Sequence, residues 1–320
     1  MKDYKLNAAV VLRRNYEDLA FRADTDEEIA RRINDRSVTA LERCEETFTY
    51  VLPTTLDAER RKELEEKRLL STDAQNAVGG AAYLRDDELL CLETAGTDHL
   101  RVAAYDEKGA LIPCLDAALT LTGKLEDTGR IARSAQYGFL TAYPSDAGTG
   151  MRASLLLHLP MLTMLKQLSA AMKMASTGGM TLRILPGGLC LLENRITLGR
   201  DERDIIEQLE SIAKSICTLE RSLRWRAKER KDLNVADKGW RAYGLCQYAL
   251  RMSRQETLSL WSDLVLGLSV GDMPYGGEET ADELWRLAHL PTEALTRDSS
   301  LHPDVERARR VRQLMNHGGN

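Results

Sequence analysis

No two cysteines in this chain form a C-x-x-C pair; the six thiols (Cys44, Cys91, Cys114, Cys190, Cys217 and Cys246) are scattered along it. Scatter of that kind argues against a disulfide frame or a zinc site and for reduced, mostly buried thiols, as in a cytoplasmic protein. The five histidines have no metal-ligand spacing either. Positive charge is not in excess: 44 Lys and Arg stand against 49 Asp and Glu, for a net charge of −5, so there is no electrostatic footprint for nucleic acid. No apolar run is long enough to span a membrane, and the one near the N-terminus is too short for a signal peptide. Walker and G-x-G-x-x-G phosphate loops, the G-x-S-x-G elbow, internal repeats and low-complexity segments are all missing.

What is present is enough chain, 320 residues, for one large domain or two modest ones. Short apolar runs at Leu89–Leu92, Leu100–Tyr105, Phe139–Tyr143, Thr181–Leu185 and Cys190–Leu192 read as strands. Glu27–Phe48, Leu56–Leu70 and a segment after Leu111 read as helices, which together with the strands suits an α+β fold. Beyond Asp201 the character changes. Ile205, Leu209, Ile212, Ile216, Leu219 and Leu223 recur at three and four residues, the stripe of one long helix packed onto the sheet. After Asn234 the pattern is helical throughout, with Ser253 as a cap. A boundary near Lys231–Gly239 divides the chain into residues 1–231 and an all-helical 232–320.

The most informative stretch is Gln136–Pro160, QYGFLTAYPSDAGTGMRASLLLHLP. A strand-like start enters a loop of small residues. The apolar run that follows reads as a long helix beginning near Arg152, and Leu155–Leu165 as buried helix. Free amides at a helix start favour an anion, and Arg152 would hold a phosphate there in a bidentate clamp.

Thr141–Pro160 resembles the phosphagen kinases (arginine and creatine kinase), and more closely the bacterial protein arginine kinases, which read TxCPTNxGTGxRASxxxHLP at this point. Arg14-Asn15 with Phe21 is similar to the family's RNxxxxxF, Glu66–Ser71 to EKHLIS, Asp98–Arg101 to the end of NEEDHLR, and Ile196–Gly199 to ITLG. Arg241–Gly244 and Ser262–Gly267 resemble its helical C-terminal part. The resemblance implies a curved antiparallel sheet flanked by helices and, as family activity, ATP-dependent phosphorylation of a guanidinium group with magnesium.

That chemistry needs positive charge around a triphosphate and carboxylates that orient and deprotonate a guanidinium whose pKa exceeds 12. Three of the family's five phosphate-binding arginines have counterparts in Arg101, Arg152 and Arg183. The other two belong to an SxRxR motif, where Ala9 and Val11 stand; Arg13 is read as facing the other side of the strand. The nucleotide-contacting histidine of EKHLIS is Arg68. The first catalytic glutamate is Thr97, the second (in an RGxxGE loop that is shorter here) is Gly188, and the cysteine of TxCP is Tyr143. Asp98 and Glu93 are the nearest surviving carboxylates, with Asp98 read as pointing away from Thr97. Losing a general base costs about 10²–10⁴ in rate and losing a phosphate-stabilising arginine about 10³–10⁵.

In the C-terminal helix, Glu306 and Arg307 occupy the positions of an RDxxRA motif that docks phosphoarginine in the bacterial enzymes, with the charges exchanged; the pair reads as a solvated helix face with i,i+3 and i,i+4 ion pairs. The expectation is therefore a pseudokinase, without resident metal. It would act by binding an active protein arginine kinase or its adaptor in protein quality control, or pair with a second copy through the C-terminal helices. An active arginine kinase and a nucleotide or phosphoarginine sensor are the alternatives.

Overall fold

The computed structural model describes residues 4–21, 26–72, 74–270, 273, 277–297 and 299–317. Its elements in chain order are β1 (Lys5–Arg14), α1 (Glu27–Leu41), β2 (Phe48–Val51), α2 (Ala58–Glu66), β3 (Ala81–Arg85), β4 (Leu90–Thr94) and β5 (Leu100–Asp106). Next come α3 (Leu111–Glu126), β6 (Arg133–Ser134), β7 (Gly138–Phe139), β8 (Met151–His158), α4 (Pro160–Met164), α5 (Leu168–Thr177), β9 (Met180–Leu185) and β10 (Leu189–Asn194). The long α6 (Glu202–Glu229) leads into α7 (Leu233–Tyr248), α8 (Arg254–Val270), α9 (Gly277–His289), α10 (Thr292–Thr296) and α11 (Pro303–His317). Eight strands form one antiparallel sheet in the order β2-β3-β4-β5-β1-β8-β10-β9, so β5 and β1 are its central pair and β8 lies next to them, well inside its edges.

Side chains alternate across the sheet, and its two faces are covered differently. Val10 and Leu12 of β1, Val102 of β5, Leu155 and Leu157 of β8 and Leu192 of β10 face a core closed by α1, α3 and α6. The stripe on α6 behaves as expected: Ile205, Leu209, Ile216 and Leu223 are buried there, with Ile212 and Leu219 at its margin. The opposite face carries two separate apolar patches. Val11, Cys91 and Ala103 pack beneath Leu64, Leu69 and Leu70 of the α2 region. Leu156, Leu189 and Leu191 pack beneath the C-terminal helices, against Trp261, Leu264 and Leu287 among others.

The helix expected from Arg152 is a strand. β8 is hydrogen-bonded on both edges, to β1 and β10, and buried on both faces, so its apolar run shows no alternation from which a strand could be told from a buried helix. Helix begins only at Pro160, in a short α4. There is thus no helix N-terminus beside Arg152, and the backbone-amide argument for an anion there falls. Of the strand expected at Phe139–Tyr143 only Phe139 is in a strand, the short β7, and the helix expected to Phe48 stops at Leu41 because Phe48 opens β2. The Ser253 cap is present, its Oγ accepting from the Glu256 N–H at 3.2 Å.

A buried polar knot ties α6 to the end of β8. Glu220 accepts from the Met161 and Leu162 N–H groups at 3.0 and 2.9 Å, capping α4, and pairs with Arg224 at 2.8 Å. Next to it, His158 Nε2 lies 2.8 Å from Ser262 Oγ of α8.

Candidate functional site

Between the two apolar patches the same face of the sheet carries a band of charge. Residues directly opposite in an antiparallel pair share a face. Arg13 of β1 is opposite Arg101 of β5, which is opposite Glu93 of β4. Val11, two residues before Arg13, is opposite Arg152 of β8. Ser154 is opposite Glu193 of β10, and Leu191 is opposite Arg183 of β9. All these side chains leave the sheet on one side. Arg13 therefore does not face away, as the sequence reading had it: residues 9, 11 and 13 share a face by strand alternation, and Ala9 and Val11 are buried beside it.

Arg68 reaches the same band from the segment after α2, its Nη1 3.2 Å from Glu193 Oε1. Its φ of +60° is the left-handed region that a non-glycine residue occupies at a cost of about 1–2 kcal/mol. Two bonds from Arg101 hold it there, to the carbonyls of Arg68 (2.7 Å) and Leu69 (3.0 Å). Five guanidinium groups, those of Arg13, Arg68, Arg101, Arg152 and Arg183, are thus brought together. Burial lowers the Arg68 pKa from its ordinary value, and although Glu193 opposes this, Arg183, Arg101 and Arg13 depress it further. Arg13 is lowered by burial, then by Arg101, against the pull of Asp146 and Asp98.

Four carboxylates answer the five arginines, and each is engaged. Glu93 pairs with Arg101 and accepts from both the backbone N–H and the hydroxyl of Ser71, at 3.0 and 2.8 Å. Glu193 pairs with Arg68. Asp98 lies 3.7 Å from Arg13 Nε and accepts from Asn15 Nδ2 and the Ala142 N–H, both at 2.7 Å. It points into the arginine band, not away, because residues 95–99 are a bend in which strand alternation does not apply. Asp146 pairs with Arg152 and lies 3.6 Å from Arg13 Nη1. Two N–H groups remain over: Arg13 Nη1 and Arg101 Nε are buried without a hydrogen-bond partner among the described residues. Arg183 makes no ion pair among the described residues, and with Arg152, Thr181, Leu191, Glu193 and Asn194 it lines a cavity of about 310 Å³.

The positions where the family resemblance placed catalytic groups do not all come together: Thr97 and Tyr143 flank the contact between Asp98 and the Ala142 N–H, and Gly188 lies elsewhere. Thr97 is in the bend before β5. Tyr143 is 54% exposed, on the surface of the loop before β8. Gly188 closes the three-residue turn of the β9–β10 hairpin, where its neighbours are Pro160 and Ser262 rather than any of the arginines. Arg14 and Asn15 are structural. Arg14 lies 3.6 Å over the Phe139 ring and donates to Thr149 O at 2.8 Å, and burial brings its pKa down to about 10. Asn15 accepts from the His99 N–H at 2.8 Å. Glu306 and Arg307 are not a solvated face: Glu306 is 1% exposed, paired with Arg309 and Arg310, and Arg307 is buried against Asp304 and the Met252 carbonyl. The i,i+3 and i,i+4 pairs are there, but α11 packs them inward against α7 and α9. Of the site, sequence reasoning missed Arg13, Asp146 and Glu193; the parity of Arg13 with Ala9 and Val11 was the available signal.

Comparison with known proteins bears on the same elements. Residues 29–223 match the family model for the ATP:guanido phosphotransferase C-terminal catalytic domain. A protein-arginine kinase of Desulforamulus reducens is 35% identical over 275 residues, 82% of this chain and 77% of the relative. One of Caldanaerobacter subterraneus subsp. tengcongensis is 32% identical over 285 residues, 84% of each chain. Among solved structures, the substrate-free duplicated taurocyamine kinase from Schistosoma mansoni superposes with a TM-score of 0.59 at 22% identity. That match covers 69% of this chain and 34% of the duplicated one, and it speaks to the fold alone.

Proposed function

The chain belongs to the ATP:guanido phosphotransferase family, and from that premise we propose that it is a non-catalytic member: it holds a phosphate-bearing ligand, nucleotide or phosphoarginine, on its arginine face and does not transfer phosphate. One observation carries the reading. Every described carboxylate near the five arginines is already paired to one of them, while Thr97 and Gly188 stand where the family pattern has its two glutamates. A guanidinium acceptor would find no free base among these four, a loss of about 10²–10⁴ in rate. Freeing one of the four carboxylates for that task would leave an arginine uncompensated in a half-buried site. Positive charge, by contrast, is ample. Arg183 has no counter-ion among the described residues and opens onto the cavity, and two buried N–H groups of Arg13 and Arg101 await an acceptor.

Two measurements test this. Incubation with ATP, magnesium and either free arginine or an arginine-bearing protein should give no phosphoarginine above a buffer blank, with an authentic protein arginine kinase as positive control. Transfer that disappears in Arg152→Ala would overturn the non-catalytic reading. Thermal unfolding with ATP, ADP or phosphoarginine, with and without magnesium, should show stabilisation by at least one of them, since a ligand at 100 times its dissociation constant adds about 2.7 kcal/mol. No shift with any ligand would remove the binding half. A family member without transfer chemistry acts by association, and an active protein arginine kinase or its adaptor is the partner this reading expects. Failure to retain either in a pull-down counts against that role.

A further inference from the structure

Asp146 is the best-placed acid in the arginine band. It ends a 3-10 turn at Pro144–Asp146 and is 6% exposed. The turn is clamped: Thr197 Oγ1 donates to the carbonyls of Ser145 and Ala147, at 3.2 and 2.7 Å. Gly148, at φ +109°, lies so close to Thr197 that a Cβ there would be 2.4 Å from its carbonyl oxygen. From this fixed platform the carboxylate takes both Nε (3.0 Å) and Nη2 of Arg152. That edge of a guanidinium is the one that binds carboxylate or phosphate bidentately. The remaining nitrogen, Nη1, donates to Asn194 O at 2.8 Å. An external anion therefore cannot take the Nε–Nη2 edge of Arg152 while Asp146 holds it.

Resting on the reading of the arginine face as an anion site, we propose that Asp146 is an internal anion that occupies the phosphate position of Arg152, so that an external ligand binds by displacing it. The residue then sets both affinity and selectivity. A single phosphate exchanges one anion for another and gains little. A polyphosphate can replace Asp146 at Arg152 and also reach the open Arg183, which lines the same cavity. The family pattern TxCPTNxGTGxRAS has asparagine where Asp146 stands, an uncharged side chain of the same shape.

Asp146→Asn is accordingly the test, read by calorimetric titration with tripolyphosphate. The variant should bind at least about tenfold more tightly than the parent, equivalent to about 1.4 kcal/mol, and adding Arg152→Ala should abolish the gain. A purely structural ion pair would instead lower stability and leave affinity unchanged or weaker. If parent and Asp146→Asn bind equally and Arg152→Ala weakens both, the arginine-face reading stands and the displacement proposal is overturned. If neither binds, or Arg152→Ala changes nothing, both fall. Should circular dichroism show Asp146→Asn unfolded, hydrogen exchange on the parent decides. Amides of residues 145–150 should exchange faster with saturating tripolyphosphate, and unchanged or slower exchange overturns the proposal.

Discussion

Arg13 and Arg101 stand directly opposite each other on neighbouring strands, where like charges repel. Their setting explains why Glu93, Asp98 and Asp146 are all within reach: the face is a salt network in which no described carboxylate is idle and one arginine, Arg183, is left over. Restoring the two family glutamates should therefore not restore a kinase. Gly188 has φ +68°, and a Cβ there would lie 3.0 Å from Pro160 Cα, under α8. The double variant Thr97→Glu, Gly188→Glu should give no phosphoarginine above blank and lose about 1–3 kcal/mol in urea unfolding, the usual cost of a disfavoured backbone region. Measurable transfer would mean that the hairpin turn moves to the arginine face. A second residue-scale prediction concerns buried histidines. Burial pulls the His289 pKa from 6.5 to about 4, and His158 well below its ordinary value, Arg224 adding to the effect. As pH falls through 6.5 the unfolded chain takes up protons that the folded one refuses, so stability is full above about pH 6.5 and is lost toward pH 4. The slope is at most about 1.4 kcal/mol per pH unit for each histidine. Urea unfolding at pH 7, 6 and 5 should show the decline, and His289→Gln should make it shallower.

Among the elements, β8 and α6 place everything else. β8 carries Arg152 toward the charged face and Leu155 and Leu157 toward the core, so one strand supplies both the site and its foundation. α6 lies across the back of the sheet and fixes the end of β8 through Glu220. That carboxylate is fully buried, holds Arg224 and caps α4 with two bonds. Removing one partner of a buried pair strands the other, so Glu220→Ala should cost about 3–5 kcal/mol in equilibrium unfolding. A loss below 1 kcal/mol would mean that the knot is decorative. The same element shows why one sequence expectation failed. The run Ser154–Leu159 has no period, because each face of β8 meets its own apolar layer, one from α3 and α6 and one from the C-terminal helices.

For the whole molecule, the charged band is bounded by the two patches that cover the rest of that face. The C-terminal helices supply one of them, over Leu156, Leu189 and Leu191. Ending the chain after Lys231 should expose these leucines. The shortened protein should bind a hydrophobic dye such as ANS and precipitate at concentrations where the full chain stays dissolved, because exposed contiguous apolar patches promote association. A soluble, dye-negative residue 1–231 fragment would show that the sheet face closes without them.

Sequence alone was sufficient for what local pattern and motif carry. The long α6 was legible from a three-four period that a surface helix must show, the helical C-terminal part from the same signal, and the family from several motifs in order. Arg101, Arg152 and Arg183 were legible because they sit inside those motifs. Only the tertiary structure decided that Arg13 and Arg68 complete a group of five, that Asp146 and Glu193 answer them, that Glu306 is buried, and that Gly188 lies apart from the arginines. The physical reason is that charge pairing on this face runs across strands and between segments 125 or more residues apart in the chain, such as Arg68 with Glu193 and Arg13 with Asp146. Such contacts leave no period in the sequence. They exist only once strand register has set which side chains stand opposite one another.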